Sequence, residues 1–190
     1  LVIVVVNNTS DSAESIRYDN QVTIQALNSC NYRFTLGIVD AASSSMELPI
    51  KQAGVGLARK IGMDLALSHL LSKDSLIFCT DSDTIVSKDY IEKTKIYFDT
   101  TGAKAAVVRF QHLESDDLKQ EKAIRLYEKY LLSTAEKMRF AGSPYGYVAM
   151  GSTMVCTVEA YCAVSGMPRK KATEDFYFLQ ELSKYDGVHT

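Results

Sequence analysis

The sequence predicts an α/β protein with a mostly parallel central sheet that is covered by helices on both faces. Segments with the apolar period of a strand alternate along the chain with segments that have the period of a helix. The strand segments are continuous apolar runs, which are typical of strands buried on both faces of a parallel sheet. With 190 residues, 46% of them hydrophobic, the chain suits one domain with a sizeable core.

Each element follows from a local pattern. The β-branched run at 1–6 predicts the first strand, and the polar residues 7–12 end it in a turn that offers helix caps. Residues 41–56, with several serines, a proline and two glycines, predict a loop. Further strands are expected at about 33–39, 75–79, 104–110 and, as an extended strand or a strand pair, 147–158. Helices are expected at about 13–27, 57–71, 89–98, 118–138, 159–164 and 175–185.

The segment 118–138 has the clearest amphipathic pattern of the chain. Seven residues at helical spacing share one face: Ala123, Leu126, Tyr127, Tyr130, Leu131, Thr134 and Met138. We expect a face of this kind to pack against the core, because a helix buries its apolar stripe.

Composition excludes several classes of protein. A formal charge of −2 and a pI near 5.9 argue against a protein that binds nucleic acid by neutralising phosphates. No apolar run exceeds six residues, so the sequence predicts neither a membrane-spanning helix nor a signal peptide. The four cysteines form no Cys-x-x-Cys pair, which predicts buried free thiols in a reducing compartment such as the cytoplasm.

Polar clusters follow three of the predicted strands, at 7–11, 40–45 and 81–83. In open α/β sheets, ligands bind beyond the carboxyl ends of the strands. The extended spacing of Asp81 and Asp83 directs both carboxylates to one side, and a divalent cation such as Mg²⁺ or Mn²⁺ would relieve their repulsion. The alternative is a solvated acidic turn that caps the next helix.

A second acidic pair, Glu174 and Asp175, stands where the last helix is expected to begin. Carboxylates there are stabilised by the helix dipole and by free backbone N–H groups, so a purely structural role stays open. The preceding loop carries three cations, at 169–171, which could neutralise phosphates or could simply be solvated.

Three segments occur in a definite order: Gly-Leu-Ala-Arg-Lys-Ile-Gly-Met-Asp at 56–64, Ser-Leu-Ile-Phe-Cys-Thr-Asp-Ser-Asp-Thr at 75–84, and Ser-Gly-Met-Pro then Thr-Glu-Asp within 165–175. Their order and approximate spacing resemble the family 2 glycosyltransferases of the GT-A fold, over nearly the whole chain. The resemblance implies a hexosyltransferase that takes a sugar from a nucleoside-diphosphate donor, as in the biosynthesis of cell-envelope polysaccharides. It implies a single catalytic domain over 1–190, with a nucleotide-sugar half at about 1–100 and an acceptor half at about 101–190.

The resemblance also implies residue roles. Asp175 matches the catalytic base, and Glu174 matches its partner that orients the acceptor. Asp81 and Asp83 match the motif that holds Mn²⁺ or Mg²⁺ and the ribose-diphosphate, with Asp83 as the direct metal ligand. The residues matched to contact with the nucleotide-sugar are Asn7, Asp40, Arg59, Asp81, Asp83 and Gly166. Asp40 corresponds to the acid that bonds the uracil edge, so UDP is the expected nucleotide.

The implied reaction is an inverting transfer to a hydroxyl of a carbohydrate or lipid-linked acceptor. The chain opens inside a strand without a methionine and stops just after the last helix, so we expect it to be truncated at one or both ends. Peripheral association with the cytoplasmic face of a membrane is open through segments that are not present.

Other nucleotide-binding classes lack their motifs. Arg59 stands where a third glycine would complete Gly-x-Gly-x-x-Gly after Gly54 and Gly56, and there is no Gly-x-x-x-x-Gly-Lys. One alternative stays open: a non-catalytic module of the same fold that binds a nucleotide-sugar or a partner.

Overall fold

A computed structural model describes all 190 residues and shows a mixed α/β protein, as the sequence predicts. The chain divides into two compact units. Unit 1 comprises residues 1–71 and 166–174, and unit 2 comprises residues 72–165 and 175–190. These units describe packing alone, so the expected functional halves stay a prediction.

Unit 1 contains β1 (Val2–Asn7), α1 (Glu14–Ser29), β2 (Leu36–Ala41) and α2 (Val55–Leu67). The two strands pair in parallel, with Val6 opposite Asp40 and Asn7 opposite Ala41. A small core forms where the buried side chains of Ala41, Leu48 and Leu57 meet. The carboxyl ends of both strands therefore lie at one edge, next to this core.

Unit 2 contains seven helices and strands beside a short 3₁₀ turn at Gly151–Thr153. In chain order they are β3 (Leu76–Phe78), α3 (Tyr90–Thr101), β4 (Ala105–Val107), α4 (Leu118–Phe140), β5 (Met154–Thr157), α5 (Val158–Ala163) and α6 (Glu174–Tyr185), whose first residue belongs to unit 1. Strand β5 lies between β3 and β4 and runs antiparallel to both. The hydrophobic core of unit 2 includes Phe98, Ala103, Ala106 and Val155.

The sheets differ from the single, mostly parallel sheet that the sequence predicts. Among the strands, only β1 and β2 pair in parallel, beside a single parallel bridge between Ala106 and His189, and within β1 only Val6 is buried. The region 147–158 contributes one strand of four residues rather than a pair. A continuous apolar run reports that a strand is buried or half-buried, but it does not encode the direction of the partner strand.

Helix α4 corrects a second prediction. The face expected to pack on the core is exposed at Leu126, Tyr127 and Tyr130, and Ala135 is the one buried residue of the helix. An amphipathic pattern fixes which residues share a side, and tertiary contacts decide whether that side is covered.

The cysteines are all free, but only Cys79 and Cys156 are buried; Cys30 and Cys162 are exposed. The expectation of buried thiols is therefore wrong for two of the four. No helix combines the length and the apolar character needed to cross a bilayer.

Candidate functional site

Asp40 lies at the end of β2 with its carboxylate fixed by the turn that follows. Its Oδ1 accepts hydrogen bonds from the backbone N–H groups of Ala42 (3.0 Å) and Ser43 (2.8 Å), and its Oδ2 accepts one from the Ser43 hydroxyl. The hydroxyl of Ser43, together with these backbone donors, lowers the pKa of Asp40 below its ordinary value. Asp40 is thus an oriented carboxylate at the edge where ligands bind in parallel sheets.

Asn7 is half-buried at the same edge, one position beyond the residue that pairs with Asp40. The side chain of its neighbour Asn8 is buried instead, and its Oδ1 accepts from Asn20 Nδ2 at 2.9 Å. The carbonyl of Asn8 also accepts from Leu48 N at 2.9 Å, which ties down the loop after β2. Asn8 therefore shapes the edge, and Asn7 is the more accessible of the two.

Arg59 and Glu174 form an ion pair within unit 1. The guanidinium Nη1 of Arg59 donates to Glu174 Oε1, and the two side chains are only 13% and 3% exposed. A buried carboxylate needs a partner of this kind, because its desolvation is costly. The pair joins the first turns of α2 to the first residue of α6, so two of the three sequence motifs meet here.

Two glycines make room for this junction. A Cβ atom at Gly56 would lie 2.4 Å from the carbonyl oxygen of Lys170 and 2.9 Å from the Cβ of Glu174. A Cβ atom at Gly54 would lie 2.8 Å from the Cα of Lys171. We call these two positions the glycine notch, since the backbone of 168–171 lies against the start of α2 only because both side chains are absent.

The segment that enters the notch has unusual backbone at both ends. Gly166, which is buried, has a φ of +78°, and Thr173 has a φ of +60° directly before Glu174. A β-branched residue rarely adopts that conformation, and the buried residues Gly166 and Glu174 stand at the two ends of the segment.

Asp81 and Asp83 lie in the loop after β3. The turn is closed by Thr84 N, which donates to the carbonyl of Asp81 at 3.1 Å; Asp81 is half-buried and Asp83 exposed. No group of three or more His, Cys, Asp or Glu residues is arranged to hold a metal ion. A two-carboxylate donor set still fits Mg²⁺ or Mn²⁺, because these ions keep water ligands and take the rest from substrate phosphates.

Asp175 occupies the first turn of α6 and is half-buried, with its Oδ1 accepting from Phe176 N at 2.7 Å. The same helix buries Phe178, Leu179 and Leu182 almost completely. Asp175 therefore stands on a helix that packing makes rigid, which is the support that a positioned carboxylate needs.

The structure brings some of the predicted site residues together. Asn7 and Asp40 share one strand edge, Arg59 contacts Glu174, and Asp81 and Asp83 share one loop, while Gly166 begins the segment that ends at Glu174. Sequence reasoning missed Ser43 and the glycine notch. A serine three residues after an aspartate is a usable signal for a local turn, but nothing local marks glycines that admit a distant segment.

No family model matches the chain, and neither a curated protein nor a solved structure is found to be similar to it.

Proposed function

We propose that the protein is a metal-dependent glycosyltransferase of the GT-A fold, which moves a sugar from a UDP-type donor to an acceptor hydroxyl with inversion. The observation that carries this is the buried Arg59–Glu174 pair. It brings together two of the three segments whose order resembles family 2 glycosyltransferases, and it fixes the residue directly before the proposed base.

Donor recognition is assigned to the edge of β1 and β2. The oriented carboxylate of Asp40 is an acceptor suited to the ring N–H of uracil, and Asn7 offers both a donor and an acceptor beside it. Because an ionised carboxylate accepts hydrogen bonds and cannot donate them, Asp40 would bind a base that presents an N–H.

Asp81 and Asp83 would hold the divalent ion. When bound, such an ion neutralises negative charge on a leaving diphosphate. The two carboxylates also discourage direct approach of a phosphate to their loop, so diphosphate binding there should depend on the metal.

Asp175 is assigned the role of general base. Its carboxylate would take the proton of the acceptor hydroxyl as that oxygen attacks the anomeric carbon. The Glu174 carboxylate is already engaged by Arg59. We therefore assign Glu174 to the positioning of the α6 start, in addition to any contact with the acceptor.

The first experiment is a thermal-shift panel with UDP, GDP, CDP and dTDP, each with and without Mn²⁺. We expect UDP to raise the Tm only when Mn²⁺ is present. Asp83→Asn should abolish that shift, whereas the exposed Asp99→Asn, in α3, should leave it unchanged. The absence of any nucleotide-dependent shift would contradict the proposal.

The second experiment separates an enzyme from a binding module. Asp175→Asn should lower the rate of hydrolysis or transfer of UDP-sugars by at least about a hundredfold. The Mn²⁺-dependent rise in Tm caused by UDP should persist in this variant. Asp186→Asn, an exposed carboxylate after α6, is the matched control. If the unsubstituted protein binds UDP with Mn²⁺ but turns over no UDP-sugar, the non-catalytic alternative is correct.

A further inference from the structure

Helix α4 carries an apolar stripe that is largely exposed, and only Tyr127 within it has a ring contact, with His112 at 6.3 Å between centroids. The stripe comprises Ala123, Leu126, Tyr127, Tyr130 and Met138, which recur at helical spacing. Leu126 is 69% exposed, Tyr130 64% and Tyr127 48%. Large apolar side chains that are contiguous and exposed mark an interaction surface.

The stripe faces outward because ion pairs and hydrogen bonds hold the other side of the helix against the preceding loop. Arg125 donates to Glu121 Oε1 at 2.6 Å, to Glu128 Oε2 at 2.7 Å and to the carbonyl of His112 at 2.8 Å. Glu128 in turn accepts from the backbone N–H of His112 at 2.6 Å and contacts its ring Nδ1 at 2.9 Å. Rolling the helix to bury the stripe would break all of these bonds.

The carboxyl end of α4 is anchored as well. Arg139 Nη1 donates to the carbonyl of Gly146 at 2.9 Å, and a Cβ atom at Gly146 would lie 2.8 Å from Arg139 N. Because the two backbone segments lie this close together, α4 cannot rotate about its axis without a steric clash. The stripe is therefore held outward along the whole helix.

Lysines surround the stripe and have no acidic partner. Lys119 and Lys122 precede Leu126 by seven and four residues, and Lys129 follows it by three, which places all three on its side of the helix. Lys137 follows Tyr130 by seven residues, which places it on the same side of the helix as Tyr130. All four are exposed and none belongs to an ion pair, while Glu121 and Glu128 are occupied by Arg125. The outward side thus combines apolar groups with four lysines and one exposed carboxylate, Glu136, and its net charge is positive.

We propose that the stripe docks on the surface of an anionic phospholipid bilayer. Leucine and tyrosine can enter the boundary between headgroups and acyl chains, while the lysines reach lipid phosphates and the tyrosine hydroxyls stay hydrated. A second copy of the chain is a poorer occupant, because apposed stripes would bring like-charged lysines together. This surface is independent of the proposed glycosyl transfer.

The test is flotation of the full chain with vesicles of phosphatidylcholine alone or mixed with an equal part of phosphatidylglycerol. We expect binding to the mixed vesicles, and weaker binding at high salt. Lys122→Gln with Lys129→Gln should weaken it about 25-fold, since each lysine near an anionic surface is worth about fivefold. Leu126→Ser with Tyr130→Ser should weaken it at least about tenfold.

Matched controls lie on α3 and directly before it. Ile91 and Ile96 are 65% and 55% exposed, so Ile91→Ser with Ile96→Ser removes comparable apolar surface, and Lys88→Gln with Lys95→Gln removes the same charge. Circular dichroism checks that every variant folds. The proposal is overturned if the unsubstituted chain does not float with anionic vesicles, or if the α3 controls weaken flotation as much. It is also overturned if light scattering shows a dimer that the stripe variants dissociate while flotation is unchanged.

Discussion

The guanidinium of Arg59 donates to the buried carboxylate of Glu174, a residue 115 positions further along the chain. This contact fixes the end of the segment that passes through the glycine notch. It also fixes the start of α6, where the proposed base follows as the next residue. The stability of unit 1 and the proposed chemistry therefore share one contact.

Arg59→Ala should destabilise the protein by about 3–5 kcal/mol, because it leaves the Glu174 carboxylate buried without its cationic partner. Urea denaturation measures the loss. Lys60→Ala is the control on the same helix: its pair with Asp64, which is 46% exposed, should contribute less than about 1 kcal/mol. A double variant, Arg59→Met with Glu174→Leu, should cost less than Arg59→Ala, because it removes both charges. An equal or larger cost would show that burial of an unpaired charge is not the cause.

Gly56→Ala should cost about 1–3 kcal/mol, because the new methyl group would overlap the carbonyl of Lys170. Gly62→Ala, in the same helix, meets its nearest side-chain atom at 3.2 Å and should change the stability by less than about 1 kcal/mol. Chemical denaturation of both variants gives the comparison. Equal losses of stability in Gly56→Ala and Gly62→Ala would mean that the backbone of 168–171 does not pack tightly against Gly56.

Glu128 should make the protein sensitive to acid. The backbone N–H of His112, with further bonds from its ring and from Arg125, lowers the pKa of Glu128 from 4.5 to about 2. The carboxylate therefore stabilises the folded state above about pH 4.5, and this stabilisation is lost as the pH falls through about 2. In Tm measurements against pH, Glu128→Gln should lower the Tm at neutral pH, and the difference from the unsubstituted protein should shrink in acid. The exposed Glu136→Gln on the same helix should behave like the unsubstituted protein at every pH.

Thiol reagents should distinguish the cysteines. Cys30 and Cys162 are exposed and should react in the native protein, whereas Cys79 and Cys156 should react only after unfolding. Burial raises the pKa of the Cys156 thiol well above its ordinary value, which slows its reaction further. Titration with a chromogenic disulfide, before and after denaturation, counts the two groups. Rapid reaction of all four in the native state would show that the β3–β5 pair opens readily.

The helices were the most predictable part of the fold. The segment expected at 118–138 is a helix from Leu118 to Phe140, and that expected at 175–185 begins one residue earlier. Their period of about 3.6 residues and their capping residues are local properties that a short window contains. The same holds for the polar edge at Asn7 and Asp40, because a strand that ends in polar residues shows where the chain leaves the core.

The tertiary contacts of each strand and helix were less predictable. The apolar run at β3 gives no sign that its neighbour would be β5, or that the two would run antiparallel. The period of α4 groups Leu126 with Tyr130, yet the ion pairs of Arg125 decide that this side faces outward. Local sequence patterns were enough to predict which segments are helical or extended and where polar groups gather, because those properties depend on neighbouring residues. The pairing of the strands, the exposed side of α4 and the contact of Arg59 with Glu174 became clear only from the folded chain, because those contacts join residues that are distant in sequence.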